Sequence, residues 1–162
     1  MHHSTNPSDP SHLGQSVIGW REWVSLPDLA IRHVKAKIDT GARSSSLHAF
    51  NIEAFTRDGI SMVHFEVHPN QRSELPVIAC EAPIHDVRRV RSSSGIATKR
   101  FVILTKVHWL DATWEVDLTL ADRSLMGFRM LIGREAVRGR VLVDPSQSYF
   151  GGRPRKKKKK NS

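Results

Sequence analysis

The chain has 162 residues, 39% of them hydrophobic and 25% charged, with a formal net charge of +9. That is enough for one domain with its own core, and no apolar run approaches the roughly 20 residues a membrane helix needs. The charge is local: of 25 Lys and Arg, seven lie between Arg153 and Lys160, which leaves 18 against 16 acidic residues elsewhere.

Residues 1–16 are polar, rich in Ser, Pro and His, and lack the basic-then-apolar pattern of a secretory signal, so disorder is expected there. A first strand is predicted over 17–24 and is broken at Leu26-Pro27-Asp28-Leu29. A second, 33–38, alternates apolar residues at Val34, Ala36 and Ile38 and runs directly into Asp39-Thr40-Gly41-Ala42. Gly41 gives the backbone freedom of a tight turn, so one carboxylate is held rigidly at a strand end. A returning strand is predicted over 46–55, closed by the hairpin-forming Asp58-Gly59.

Residues 60–68 form the next predicted strand, and 75–82 another, which buries the single cysteine, Cys80. One cysteine cannot form an intrachain disulfide, which suits a reducing cytoplasm. Two arms, 85–91 and 96–108, flank Ser92-Ser93-Ser94-Gly95 as a hairpin with a flexible tip. After Asp111-Ala112 come strands at 113–120 and 130–132, with 125–128 leading into the latter; then a short helix near 134–137 and a last strand around Val141. Recurrent short strands with one short C-terminal helix predict an all-β closed barrel. The expected organisation is a disordered 1–16, one domain over 17–150, and a disordered basic tail over 151–162.

Asp39-Thr40-Gly41-Ala42 after an apolar strand resembles the active-site loop of aspartic peptidases, the retroviral type in particular. Leu131-Ile132-Gly133-Arg134 with its following helix resembles the apolar-apolar-Gly segment beneath that loop. With Val90 to Gly95 and Gly139 to Pro145, the set resembles more specifically the bacterial retropepsin-like family labelled "ATP-dependent zinc protease" (DUF785-type). That family is associated with RimK-type ATP-grasp glutamate ligases, and the match covers roughly 17–150. The resemblance implies a retropepsin-type β-barrel, with Asp39 catalytic and Thr40, Gly41, Ala42, Leu131, Ile132, Gly133 and Arg134 supporting its loop. It places Arg91, Ser92, Ser93, Ser94 and Gly95 at the flap, as candidates for substrate contact, and Arg134 and Arg43 near acidic partners at a dimer interface. The chain departs from viral retropepsins in its greater length and its Ser-rich flap.

Aspartic peptidases activate water between two carboxylates that share one proton, because like charges a few ångströms apart do not both ionise cheaply. One Asp-Thr-Gly supplies half of that pair, so the catalytic reading carries a homodimer with it. Peptide or protein is the expected substrate; glutamate-rich tails fit the family association and the arginines Arg88, Arg89 and Arg91 of the hairpin arm. No cofactor is expected: neither a His-Glu-x-x-His helix nor a phosphate-binding Gly-rich loop is present. His64, Glu66 and His68 share one face of a strand and form the one weak zinc candidate, which an ordinary exposed polar face explains equally well. Two rival readings stand beside the peptidase: a non-catalytic module of the same fold that binds acidic peptides or RNA, and a zinc-dependent protease. The Lys-rich tail is either a solubilising end or a contact for RNA or another polyanion.

Overall fold

The computed structural model describes residues 16–70, 73, 75–91, 94–122 and 127–155. In chain order the strands are β1 (Ser16–Gly19), β2 (Arg21–Leu26), β3 (Ile31–Asp39), β4 (Ser45–His48), β5 (Phe50–Arg57) and β6 (Ile60–Val67). They continue as β7 (Ile78–Pro83), β8 (Asp86–Arg91), β9 (Ala97–Trp109), β10 (Ala112–Ala121) and β11 (Met130–Gly133); a single helical turn, α1 (Arg134–Val137), precedes β12 (Val141–Asp144). The order β10-β4-β11-β3-β2-β9 closes on itself through the β9–β10 pairing, giving the expected closed barrel. A three-stranded sheet, β5-β6-β7, and a parallel pair, β1-β12, complete the fold.

The period-2 pattern explains the walls. In β3, Val34, Ala36 and Ile38 are buried while Arg32, His33 and Lys37 are exposed. In β6, Val63, Phe65 and Val67 are buried and alternate with half-buried Met62, His64 and Glu66. Both sets join one core with Leu47, Ile103, Leu118, Met130 and Ile132. Asp58 and Gly59 turn β5 into β6 with positive φ at both, 52° and 79°, the geometry a two-residue hairpin favours.

Two predicted strands are each divided. The one expected over 17–24 breaks at Trp20, whose amide donates to the Gln147 carbonyl (2.9 Å) instead of continuing a single ladder. The break also needs Gly19, because a Cβ there would sit 2.5 Å from the same carbonyl oxygen. The strand expected over 46–55 breaks at buried Ala49, whose amide donates to the Ala121 carbonyl (3.0 Å), so β4 stays in the barrel and β5 leaves for the outer sheet. Both breaks are made by partners far away in sequence. Described chain also extends past 150: the Gly151 amide donates to Glu22 (3.0 Å), and the Arg153 guanidinium lies 4.2 Å from the Tyr149 ring centre. The expectations for 1–15, 125–126 and 156–162 lie outside the described residues.

Among the described residues no helix is long and apolar enough to cross a membrane.

Candidate active site

β3 ends at Asp39, and the chain turns through Thr40 and Gly41 before β4 begins at Ser45. The Gly41 amide donates to Asp39 Oδ1 (3.1 Å) and the Ala42 amide to the Asp39 carbonyl (3.1 Å). A Cβ on Gly41 would meet Asp39 Oδ1 at 3.2 Å, so the turn is tight on its inner side. Asp39 remains partly exposed, and Thr40 and Gly41 are exposed.

The loop is braced from beneath. β11 fills the gap where β3 and β4 diverge, running parallel to β3 with Ile132 opposite Ile38 and Gly133 opposite Asp39. It runs antiparallel to β4, with Leu131 opposite Ser46 and Met130 opposite Leu47. Gly133 is buried against the loop: a Cβ there would lie 2.6 Å from the Ser44 carbonyl and 2.8 Å from that of Arg43. Its amide donates to Ser45 Oγ (3.0 Å). The first amides of α1 would have no partner inside the helix. They are taken by the loop, Arg134 N to the Ala42 carbonyl (2.8 Å) and Glu135 N to that of Arg43 (3.2 Å). The Arg134 guanidinium donates to the Gly41 carbonyl (3.4 Å).

Beside the loop lies a cleft of about 570 Å³. Arg43, Ser44 and Ser45 form one wall, Glu115 to Asp117 of β10 and the start of α1 others, and Arg88 of β8 closes it; Asp39 itself stands outside the lining. Arg88 reaches Ser44 Oγ (3.1 Å), Asp86 (3.5 Å) and Asp117 (3.9 Å), so the hairpin arm is tied to the loop exit and this arginine is already partnered. The hairpin forms as expected, with Arg91 opposite Ala97. Ser94 and Gly95 are exposed, Gly95 at φ 81°. Ser92 and Ser93 lie outside the described residues.

The zinc candidates do not converge. In an extended strand His64 and His68 are about 13 Å apart along the backbone. Glu66 accepts from Asn51 Nδ2 (3.0 Å), His64 stands opposite Glu53 and Glu81, and the His68 ring stacks on Phe50 at 4.2 Å between centres. Among the described residues no three His, Cys, Asp or Glu side chains form a metal-like group. Cys80 lies buried in β7, near the Leu29 carbonyl (3.7 Å), and burial pushes its thiol up to about 11, far from a thiolate nucleophile at neutral pH.

Sequence reasoning missed one residue that braces the loop and one that fastens the C-terminal segment to the barrel. Ser45 carries the hydroxyl that receives the Gly133 amide, which nothing in a run of serines distinguishes. Glu22 sits in the inward phase of β2 with Val24 and Leu26, and a carboxylate in an apolar phase was the available signal.

The family model of the retropepsin-like aspartic endopeptidase RimB (RimB-like) matches residues 17–154. Proteins named probable alpha-L-glutamate ligase are 45% identical over 134 residues in Desulfotalea psychrophila and 46% over 136 in Shewanella pealeana. Those matches take in 83% and 84% of this chain but 29% and 30% of the relatives, so the chain spans less than a third of their length. A solved Legionella pneumophila protein of unknown function (DUF785) superposes with a TM-score of 0.70 at 27% identity, over 84% of this chain and 98% of that one.

Proposed function

Since the chain belongs to the RimB-like family of retropepsin-like aspartic endopeptidases, we propose that it is an aspartic-type endopeptidase acting as a homodimer, with Asp39 from each of two chains. The observation that carries this reading is the Asp39 turn: a partly exposed carboxylate oriented by the Gly41 amide, on a loop clamped by β11 and α1. Rigid placement of a reactive group is what catalysis by positioning requires.

In the proposed reaction two Asp39 carboxyls share one proton and hold a water between them. The ionised one takes a proton as the water oxygen attacks the scissile carbonyl, and the protonated one polarises that carbonyl. Collapse of the intermediate breaks the C–N bond, and the leaving amine takes up a proton from the pair. Thr40 and Gly41 keep the two loops in register, while Ser94 and Gly95 at the hairpin tip cover the substrate.

Glutamate-rich protein tails are the proposed substrate. Exposed Lys37 lies two residues before Asp39 on the same face of β3, and Arg43 lines the neighbouring cleft, so cations stand on both sides of the reactive loop. The glutamate ligase name of the longer relatives supports the same choice. A segment like this one there shares a polypeptide with other sequence, which is consistent with making and cutting glutamyl bonds in one system.

The test is cleavage of a glutamate-rich peptide, with a mixed peptide library beside it, followed by mass spectrometry. Cleavage that survives chelators, falls on dilution below the dimer dissociation constant and follows a bell-shaped pH profile is expected. Cleavage by Asp39→Asn at the wild-type rate would sink the aspartic mechanism, and stoichiometric zinc lost on replacing His64 or His68 would replace it with the metal reading.

A further inference from the structure

The outer face of the β2–β3 hairpin carries cations held by aromatic rings instead of by carboxylates. Alternation turns Glu22, Val24 and Leu26 of β2 inward with Val34, Ala36 and Ile38 of β3. Arg21 and Trp23 therefore point outward, opposite Lys37 and Lys35. Asp39, at the strand end, is the one carboxylate on that face of the two strands.

The C-terminal segment crosses the same edge. The Tyr149 amide donates to the Arg21 carbonyl (3.1 Å), and the Tyr149 ring lies 4.8 Å from the Arg21 guanidinium and 4.2 Å from that of Arg153. Arg21 is also 4.6 Å from the Trp20 ring centre. The Lys35 ammonium stands 5.8 Å from Trp23 and from Phe128, and 5.7 Å from Tyr149.

A cation over a ring face is positioned without being neutralised, since the ring contributes a quadrupole and no net charge. Among the described residues no ion pair engages Arg21, Lys35 or Arg153. The face thus presents fixed, uncompensated positive charge interleaved with partly exposed Trp20, Trp23 and Tyr149. Beyond Arg153 the sequence continues through Arg155 into five consecutive lysines.

We propose that this face binds single-stranded nucleic acid, with phosphates at Arg21, Lys35 and Arg153 and a base against Trp23, the ring these cations cover least. The alternation of cation and ring matches that of phosphate and base; an acidic peptide would need the charges alone. A single strand fits because its bases are free to leave their own stack and lie on an aromatic ring. The surface is separate in role from the Asp39 chemistry, so it stands or falls independently of the peptidase reading.

The experiment is fluorescence anisotropy of labelled oligoadenylate RNA with the full chain across a range of salt, with thermal melts to establish folding of each variant. Lys35→Gln combined with Arg153→Gln is expected to weaken binding at least tenfold and to reduce the log–log salt slope by about 1.4, two contacts at about 0.7 each. Trp23→Leu is expected to weaken binding about tenfold with the slope unchanged, the signature of lost stacking. If Trp23→Leu does not fold, the Lys35→Gln, Arg153→Gln double variant decides alone. No binding by the wild type overturns the proposal, as does wild-type affinity in the double variant, which would assign binding to the lysine run. Displacement of the RNA by polyglutamate at equal charge, with Trp23→Leu silent, would make the face a site for acidic protein and equally overturn it.

Discussion

Two carboxylates, Glu22 and Asp39, begin and end the same β2–β3 hairpin and are treated oppositely. Glu22 is 0% exposed and saturated: Oε2 accepts from the amides of Gly19 (2.7 Å) and Phe150 (3.0 Å), Oε1 from Gly151 N (3.0 Å) and Trp109 Nε1 (3.2 Å). It fastens the C-terminal segment to the barrel, and Gly151 packs so tightly there that a Cβ would reach Trp109 Nε1 at 2.5 Å. Asp39 accepts the Gly41 amide on one oxygen and is partly exposed. A buried acceptor with its donors in place is costly to disturb, whereas an oriented acceptor open to solvent is available for a reaction. The difference in surrounding donors, not in the carboxyl groups, separates a structural from a reactive residue.

Exchanging each acid for its amide breaks or sharpens that comparison. Asp39→Asn is expected to lower peptide cleavage by at least about 1,000-fold, the scale for losing an essential acid–base group. Its Tm should stay near wild type, because one solvent-facing acceptor changes. Glu22→Gln is expected to do the reverse: an amide NH₂ cannot accept, so about two donors lose their partner and stability falls by roughly 3–5 kcal/mol. Cleavage per folded molecule should survive. Matched assays of rate and denaturant midpoint check both; a Glu22→Gln protein as stable as wild type would show that the four short contacts carry no weight.

The contrast also shows what could be read in advance. The barrel, its hairpins and the helical turn at 134–137 were legible because they follow local rules: alternation at Val34, Ala36 and Ile38, the Asp58-Gly59 turn, an apolar run ending in Gly133. The breaks at Trp20 and Ala49 were not, because they depend on Gln147 and Ala121, over 70 residues away in each case. Asp39 stood out by its motif, yet the Ser45 hydroxyl beneath it and the Arg88–Ser44 tie did not, since contacts between distant polar side chains leave no periodicity.

The brace beneath Asp39 yields the next effect. Gly133→Ala would place a methyl 2.6 Å from the Ser44 carbonyl, where backbone must move. Overpacking of this kind costs about 1–3 kcal/mol, and the displaced segment adjoins the Asp39 turn, so cleavage should fall more than stability alone explains. Gly127→Ala is the control, since nothing lies within 4 Å of its added Cβ. Equal behaviour of the two variants in melting and in cleavage would mean that β11 does not position the loop.

The smallest effect concerns a buried group with incomplete compensation, His48, whose side chain is 3% exposed. Burial holds its imidazole below the usual histidine value, and Arg129 and His68 push the same way; Asp122, 3.6 Å away, and a hydrogen bond with the Ala121 backbone pull it back up. The folded state therefore resists the proton that the unfolded chain accepts near the ordinary value of 6.5. Above that pH both states are neutral at this site and its contribution is constant. As pH falls through 6.5 the unfolded state binds more protons, so stability declines, until the folded-state value is passed and the slope ends. His48→Phe keeps an aromatic ring where His48 stacks with Phe50 and His68 and removes the titration. Denaturant unfolding from pH 8 to 5 should show a wild-type slope that the variant lacks, after subtraction of the titrations common to both. A variant curve parallel to wild type would remove His48 from the pH response, and a wild-type curve rising relative to the variant on acidification would reverse the sign argued from burial.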